Sequence, residues 1–137
     1  TTQEKQANTS STSQTLFNLK LLAYERIILF IERIKPDSFI PRTLSPSLPY
    51  QEYQLLLINE IRKEFEYNLS QQLYLSENAW EVTVNFKDNI ITLINSAATS
   101  CPPQATASDL ARKILEHYIS SDLKGDQISK IVKAEIQ

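Results

Sequence analysis

Glycine is almost missing from this sequence. Gly125 is the only one in 137 residues, against a usual share of roughly 7%. Tight hairpins and phosphate-cradling loops both need glycine at fixed places, so strand-and-turn architectures and nucleotide folds are excluded early. Cysteine also occurs once, at Cys101, which rules out an intrachain disulfide and any thiolate metal site built from this chain alone. Ahead of Pro102 and Pro103, with no histidine near it in sequence, Cys101 reads as an incidental loop residue rather than a reactive thiol.

Methionine is absent altogether, even from position 1, so the expectation is a fragment or processed product of a longer protein. Long apolar runs are missing too. The longest covers residues 27–31, far short of the roughly 18 to 20 residues that span a bilayer, and no signal-peptide pattern is present. Charge of one sign is nowhere concentrated: 14 basic and 16 acidic residues give a net charge of −2. Neither Arg26 with Arg33 nor Arg62 with Lys63 extends into the basic face that a nucleic-acid backbone requires. Nucleic acid is therefore not an expected partner.

What the sequence does contain is helical periodicity. A hydrophobic fraction of 42% with 22% charged residues fits one ordinary globular domain. Residues 1–15, dominated by Thr, Ser, Gln and Asn, read as a disordered spacer ahead of a single helical domain over 16–137. From 16 to 35, Leu16, Ala23, Ile27, Phe30, Ile31 and Ile34 fall on one stripe at about 100° per residue, with Tyr24 at its edge. Glu25, Arg26, Glu32 and Arg33 occupy the opposite side, yet Leu22 and Leu29 sit among them one heptad apart. Four prolines between 36 and 49 predict a non-helical crossover, pinned by Phe39, Ile40, Leu44 and Leu48.

A second helix is expected over 49–73, opened by Pro49 and carrying Leu55, Ile58, Ile61, Phe65, Leu69 and Leu73 on its core stripe. Leu56, Tyr67 and Tyr74 project to the far side near Tyr53. Ser76 is a good N-cap for a third helix over 76–100, with Ala79, Val82, Phe86, Ile90, Leu93 and Ala97 on one stripe. Trp80, Val84, Ile91 and Ala98 flank or oppose it, the mark of a central helix packed on several neighbours or of one with a face to spare. Thr106 and Asp109 approximate a capping box for a short helix through Ile119. After a turn at 122–126, Ile128, Ile131, Val132 and Ile136 make a last stripe. The expected fold is an all-α helical bundle of three long helices plus one or two short C-terminal ones.

No residue cluster announces chemistry. His117 is the sole histidine, and Glu116 beside it points about 100° away on a helix, so convergent metal ligands do not form and a surface or core-edge role is the better reading. A Ser-His-Asp triad could be drawn only without support from spacing, and no nucleophile elbow is present. Glu60 and Glu64 share a helix face, but a bundle carboxylate site also needs a Glu-x-x-His pair that is absent. Ion pairs four apart, such as Arg62 with Glu66, account for those carboxylates instead. Gln54, Arg62 and Gln72 flank the core stripe and suit buried hydrogen bonds that fix packing register.

Two stretches, residues 22–34 (LAYERIILFIERI) and 64–76 (EFEYNLSQQLYLS) continuing through Ala79 and Trp80, resemble an uncharacterised bacterial family in which one N-terminal membrane helix precedes a helical soluble region. The resemblance covers roughly residues 22–98. It implies that residues 1–15 are a juxtamembrane spacer of a membrane-associated parent; the cytoplasmic side is the expected one for the domain, with the other side left open. That family often has histidine where Tyr67 stands, so no acid–base or ligand role is carried to this position. It supplies no activity, cofactor or catalytic residue.

Surplus apolar surface without a reactive cluster points to a non-catalytic interaction or scaffolding module that binds a protein partner or self-associates. The expected partner face comprises Tyr53, Leu56, Tyr67 and Tyr74, with Trp80 and Ile91 as a second candidate, because aromatic residues are enriched at interface hot spots. The alternative is a bundle that binds an apolar small molecule, with Tyr24, Phe65, Trp80 and Phe86 lining a pocket closed by the crossover.

Overall fold

Proline and capping side chains cut this chain into helices. The computed structural model describes residues 2–123 and 126–136, and they form α1 (Thr2–Ile34), α2 (Pro36–Thr43), α3 (Tyr50–Tyr67), a 3-10 segment (Leu69–Tyr74), α4 (Glu77–Thr99), α5 (Ala107–Ile119) and α6 (Asp126–Ile136). The fold is an all-α bundle. Among the described residues the only sheet-like feature is one antiparallel bridge between Pro49 and Thr106. There Tyr50 N–H donates to the Ala105 carbonyl at 3.1 Å and Ala107 N–H to the Leu48 carbonyl at 2.7 Å.

Two helix starts follow their capping residues. The Ser76 hydroxyl accepts from Ala79 N–H at 3.0 Å, and Thr106 with Asp109 closes a full capping box at the head of α5. Each satisfies amide donors that a helix N-terminus otherwise leaves orphaned. The turn expected at 122–126 falls partly outside the described residues, as do Gly125 and the side chain of Ile136.

Three expectations are corrected. Residues read as a spacer are helical from Thr2 onward: with no Gly or Pro to interrupt it, α1 extends outward, and polar side chains support its exposed turns. The Thr15 hydroxyl donates back to the Ser11 carbonyl at 2.9 Å, and Gln14 bonds Asn18 at 3.1 Å. The crossover at 36–49 begins as a helix, because Pro36 occupies the first turn, where its missing N–H costs nothing. Pro41 lies inside the same helix and forgoes one backbone bond, a small loss in eight residues anchored by buried Phe39 and Ile40.

The third correction concerns α3, which stops at Tyr67 instead of continuing to Leu73. Its buried stripe is Tyr53, Leu57, Ile58 and Ile61, whereas Leu55 is 62% and Leu73 83% exposed. Tyr53 can occupy the core because its hydroxyl shares a hydrogen bond with Thr43 Oγ1 at 3.0 Å, which offsets the cost of burying a phenol.

The core lies where α4 meets its neighbours. This helix packs against α1, α3, α5 and α6, so the apolar residues on two of its sides are largely covered by its own bundle. Ile27, Phe30, Ile31 and Ile34 of α1, Ile90, Ile94 and Ala97 of α4 and Leu110 and Ile114 of α5 are all buried in one cluster. Each large aliphatic side chain so buried contributes roughly 1.5–3 kcal/mol. Polar closure comes from the far end of the chain: the buried Tyr24 hydroxyl donates to Glu135 Oε2 of α6, and Ser76 Oγ donates to Glu135 Oε1 at 2.5 Å.

Candidate functional site

An open groove of about 330 Å3 runs between α1 and the C-terminal half of α3, lined by Arg26, Leu29, Phe30 and Arg33 on one wall and Glu60, Lys63, Glu64, Tyr67 and Asn68 on the other. Its walls follow from helix register. Leu19, Leu22, Arg26, Leu29 and Arg33 stand in alternating steps of three and four along α1, and Glu60, Lys63 and Tyr67 do the same along α3, so each set forms one ridge. Phe30 packs against Phe65 with ring centroids 6.0 Å apart, and that contact holds the two helices together beneath the groove.

One ion pair closes the groove at its α1 C-terminal end. Glu64 Oε1 accepts from Arg33 Nη2 at 2.7 Å and from Arg33 Nε at 3.2 Å, while Arg42 Nη1 lies 3.7 Å away. Glu64 holds the Arg33 guanidinium pKa above its already high ordinary value, first through the hydrogen bond and then through its charge. The Arg42 Nη2 group also donates to the Arg33 carbonyl at 2.8 Å, which ties α2 to the end of α1. Glu64 therefore finds its cations across helices, not four residues along α3. Its Oε2 is buried and has no hydrogen bond among the described residues.

Tyr67 owes its exposure to the end of α3. Asn68 leaves helical geometry, and its Nδ2 donates to the Glu64 carbonyl at 2.8 Å, satisfying an acceptor of the last turn. The chain then tightens into the 3-10 segment, and Tyr67 is left 81% exposed. Leu29 across the groove is 59% exposed. Arg26 and Lys63 are exposed as well, and neither forms a hydrogen bond or ion pair among the described residues.

The six residues expected to form partner faces are thus separated. Tyr53 is fully buried and offers no surface; Leu56, Trp80 and Ile91 are half-buried against the core, and Tyr74 is half-buried in the 3-10 segment. Only Tyr67 stands open. Of the four residues placed around an apolar pocket, Tyr24 and Phe86 are core, and Phe65 stacks on Trp80 at 5.4 Å with Lys87 Nζ 4.2 Å from its ring. Among the groove residues that the sequence did not single out for a partner face are Leu29, Arg26 and Lys63, with Leu22 exposed two turns before Leu29 on the same ridge. Their signal was the pair of leucines among the charges of α1.

The chain belongs to DUF7935. The model of this family of unknown function matches residues 1–137. Comparison with curated proteins and with solved structures finds no match. Membership in DUF7935 brings no ligand or reaction to the groove, so its chemistry has to be read from the residues themselves. Among the described residues no three or more His, Cys, Asp or Glu side chains are grouped as metal ligands, and no helix is long and apolar enough to cross a membrane. His117 is exposed. Cys101 is buried, its thiol facing the Ala97 carbonyl at 3.8 Å, and burial pushes its pKa up, away from a reactive thiolate.

Proposed function

We propose that this bundle is a non-catalytic interaction module that engages a protein partner through the groove between α1 and α3. The observation that carries this reading is the open pairing of Leu29 and Tyr67 across the groove. Isolated exposed leucines are ordinary on any protein, but apolar side chains aligned on two walls with charged residues around them have the layout of a recognition surface. In the same reading, a membrane segment preceding Thr1, which the family resemblance implies, tethers the bundle.

Site-specific photo-crosslinking tests it in cells that make the protein. A photoreactive residue is placed at Leu29, at Tyr67 or, as a control, at Glu116, which is exposed on α5. The groove positions are expected to give one shared product of discrete mass that the control does not give. Equal labelling from all three positions, or none from the groove, would sink the proposal.

A further inference from the structure

We infer that the occupant of this groove is a single amphipathic α-helix carrying carboxylates on its flanks. The inference rests on the interaction reading above and specifies the partner's chemistry.

Spacing argues for a helix. Leu22 and Leu29 are separated by about 10 Å along α1, two turns, with Arg26 between them, and the α3 ridge repeats steps of three and four through Glu60, Lys63 and Tyr67. A helix with apolar residues at heptad positions a and d presents that same repeat and can seat its side chains between both ridges, as the third strand of a short three-helix contact. An extended strand would find no free sheet edge here, since the described residues contain none.

Charge argues for acid. Three cations and two carboxylates line the groove, in a chain whose net charge is −2. Glu64 is already engaged by Arg33, which leaves two cations, Arg26 and Lys63, one on each wall, against the single carboxylate of Glu60, none of the three paired among the described residues. Their apolar stems extend the groove and their heads reach its rim, where flanking carboxylates of a seated helix would meet them. A second copy of this chain fits poorly: a twofold axis across Leu22 and Leu29 sets Arg26 against its own symmetry mate.

The test uses a labelled helical peptide of about three heptads with leucine at a and d and glutamate at e and g, and a twin with lysine at e and g, followed by fluorescence anisotropy on the whole chain. The glutamate peptide is expected to bind at least about tenfold more tightly than its twin and to weaken as salt is raised. Arg26→Glu with Lys63→Glu is expected to reverse that preference; both side chains are exposed and unpaired, and a circular-dichroism melt checks that the fold survives. Tighter binding of the lysine twin, or an order unchanged by the double reversal, overturns the inference. So does a dimer by sedimentation that Leu29→Asp dissolves, because a second copy then fills the groove. If neither peptide binds while Leu29 and Tyr67 still crosslink to a discrete product, the acidic-helix specification fails and the interaction reading stands. If both experiments are blank, both fall.

Discussion

On α1, Ile27 and Leu29 stand two residues apart and differ in almost everything but size. Ile27 is fully buried in the core cluster, and Leu29 is 59% exposed in the wall of a groove. Both belong to regular helical stripes about half a turn of the helix apart. Periodicity shows that a stripe exists, but the covering of a stripe is decided by where the other helices pass. One stripe holds this fold together, and the other is left exposed.

Substitutions on the two stripes are the direct way to break that contrast. Ile27→Ala removes buried methyl groups from a packed site and is expected to cost about 2–5 kcal/mol in a urea melt, whereas Leu29→Ala should change stability by less than about 0.5 kcal/mol. A large loss from Leu29→Ala would mean that the groove is covered in solution. Next in size is Tyr53→Phe, which leaves the Thr43 hydroxyl without its ring partner and is expected to cost about 1 kcal/mol.

The same substitution sharpens the comparison through pH. Burial pushes the Tyr53 phenol above its ordinary value of 10.0, against a smaller lowering by the Thr43 hydrogen bond. The neutral phenol is thus favoured in the fold, so its contribution is complete below about pH 10 and is lost as pH rises through the higher folded value. Tyr53→Phe should flatten that alkaline loss. Tyr118, raised by burial and by nearby carboxylates, retains part of it.

Thr106→Ala should cost about 1 kcal/mol by removing a helix cap. The smallest effect is on the acid side. Asp109 is held below its ordinary value first by the Thr106 backbone amide, so its share of stability is present above the unfolded pKa and fades as pH falls through the folded one. Asp109→Asn should make the acid limb of the stability curve shallower than in the unmodified chain.

These residues also mark how much was legible in advance. Ser76, Thr106 with Asp109, and Pro36 set helix boundaries by local chemistry, and local chemistry is written in neighbouring residues. The buried face of α3 was not legible. Leu55, Leu56 and Leu57 are consecutive and point around more than half of the helix, so apolar pattern alone admits two stripes; the true one is centred on Tyr53, Leu57 and Ile61 because a threonine ten residues earlier satisfies the tyrosine hydroxyl. The groove was half legible. Leu22 and Leu29 stood out among the charges of α1, but the meeting of Leu29 with Lys63 and Tyr67 depends on the crossing of α1 and α3, which no local signal encodes.

Glu135 accepts from Tyr24 and from Ser76, the residue that caps α4. Until residue 135 has been synthesised, the Tyr24 hydroxyl and the Ser76 hydroxyl lack the acceptor that satisfies them inside the fold. A nascent chain on the ribosome can bring α1 against α4 through their apolar cluster, but the polar tie at Tyr24 and Ser76 forms only after residue 135 has emerged. The last polar closure of the bundle is thereby coupled to the emergence of α6, and a chain cut short before residue 135 would present quality-control proteases with a bundle whose buried Tyr24 hydroxyl lacks this acceptor.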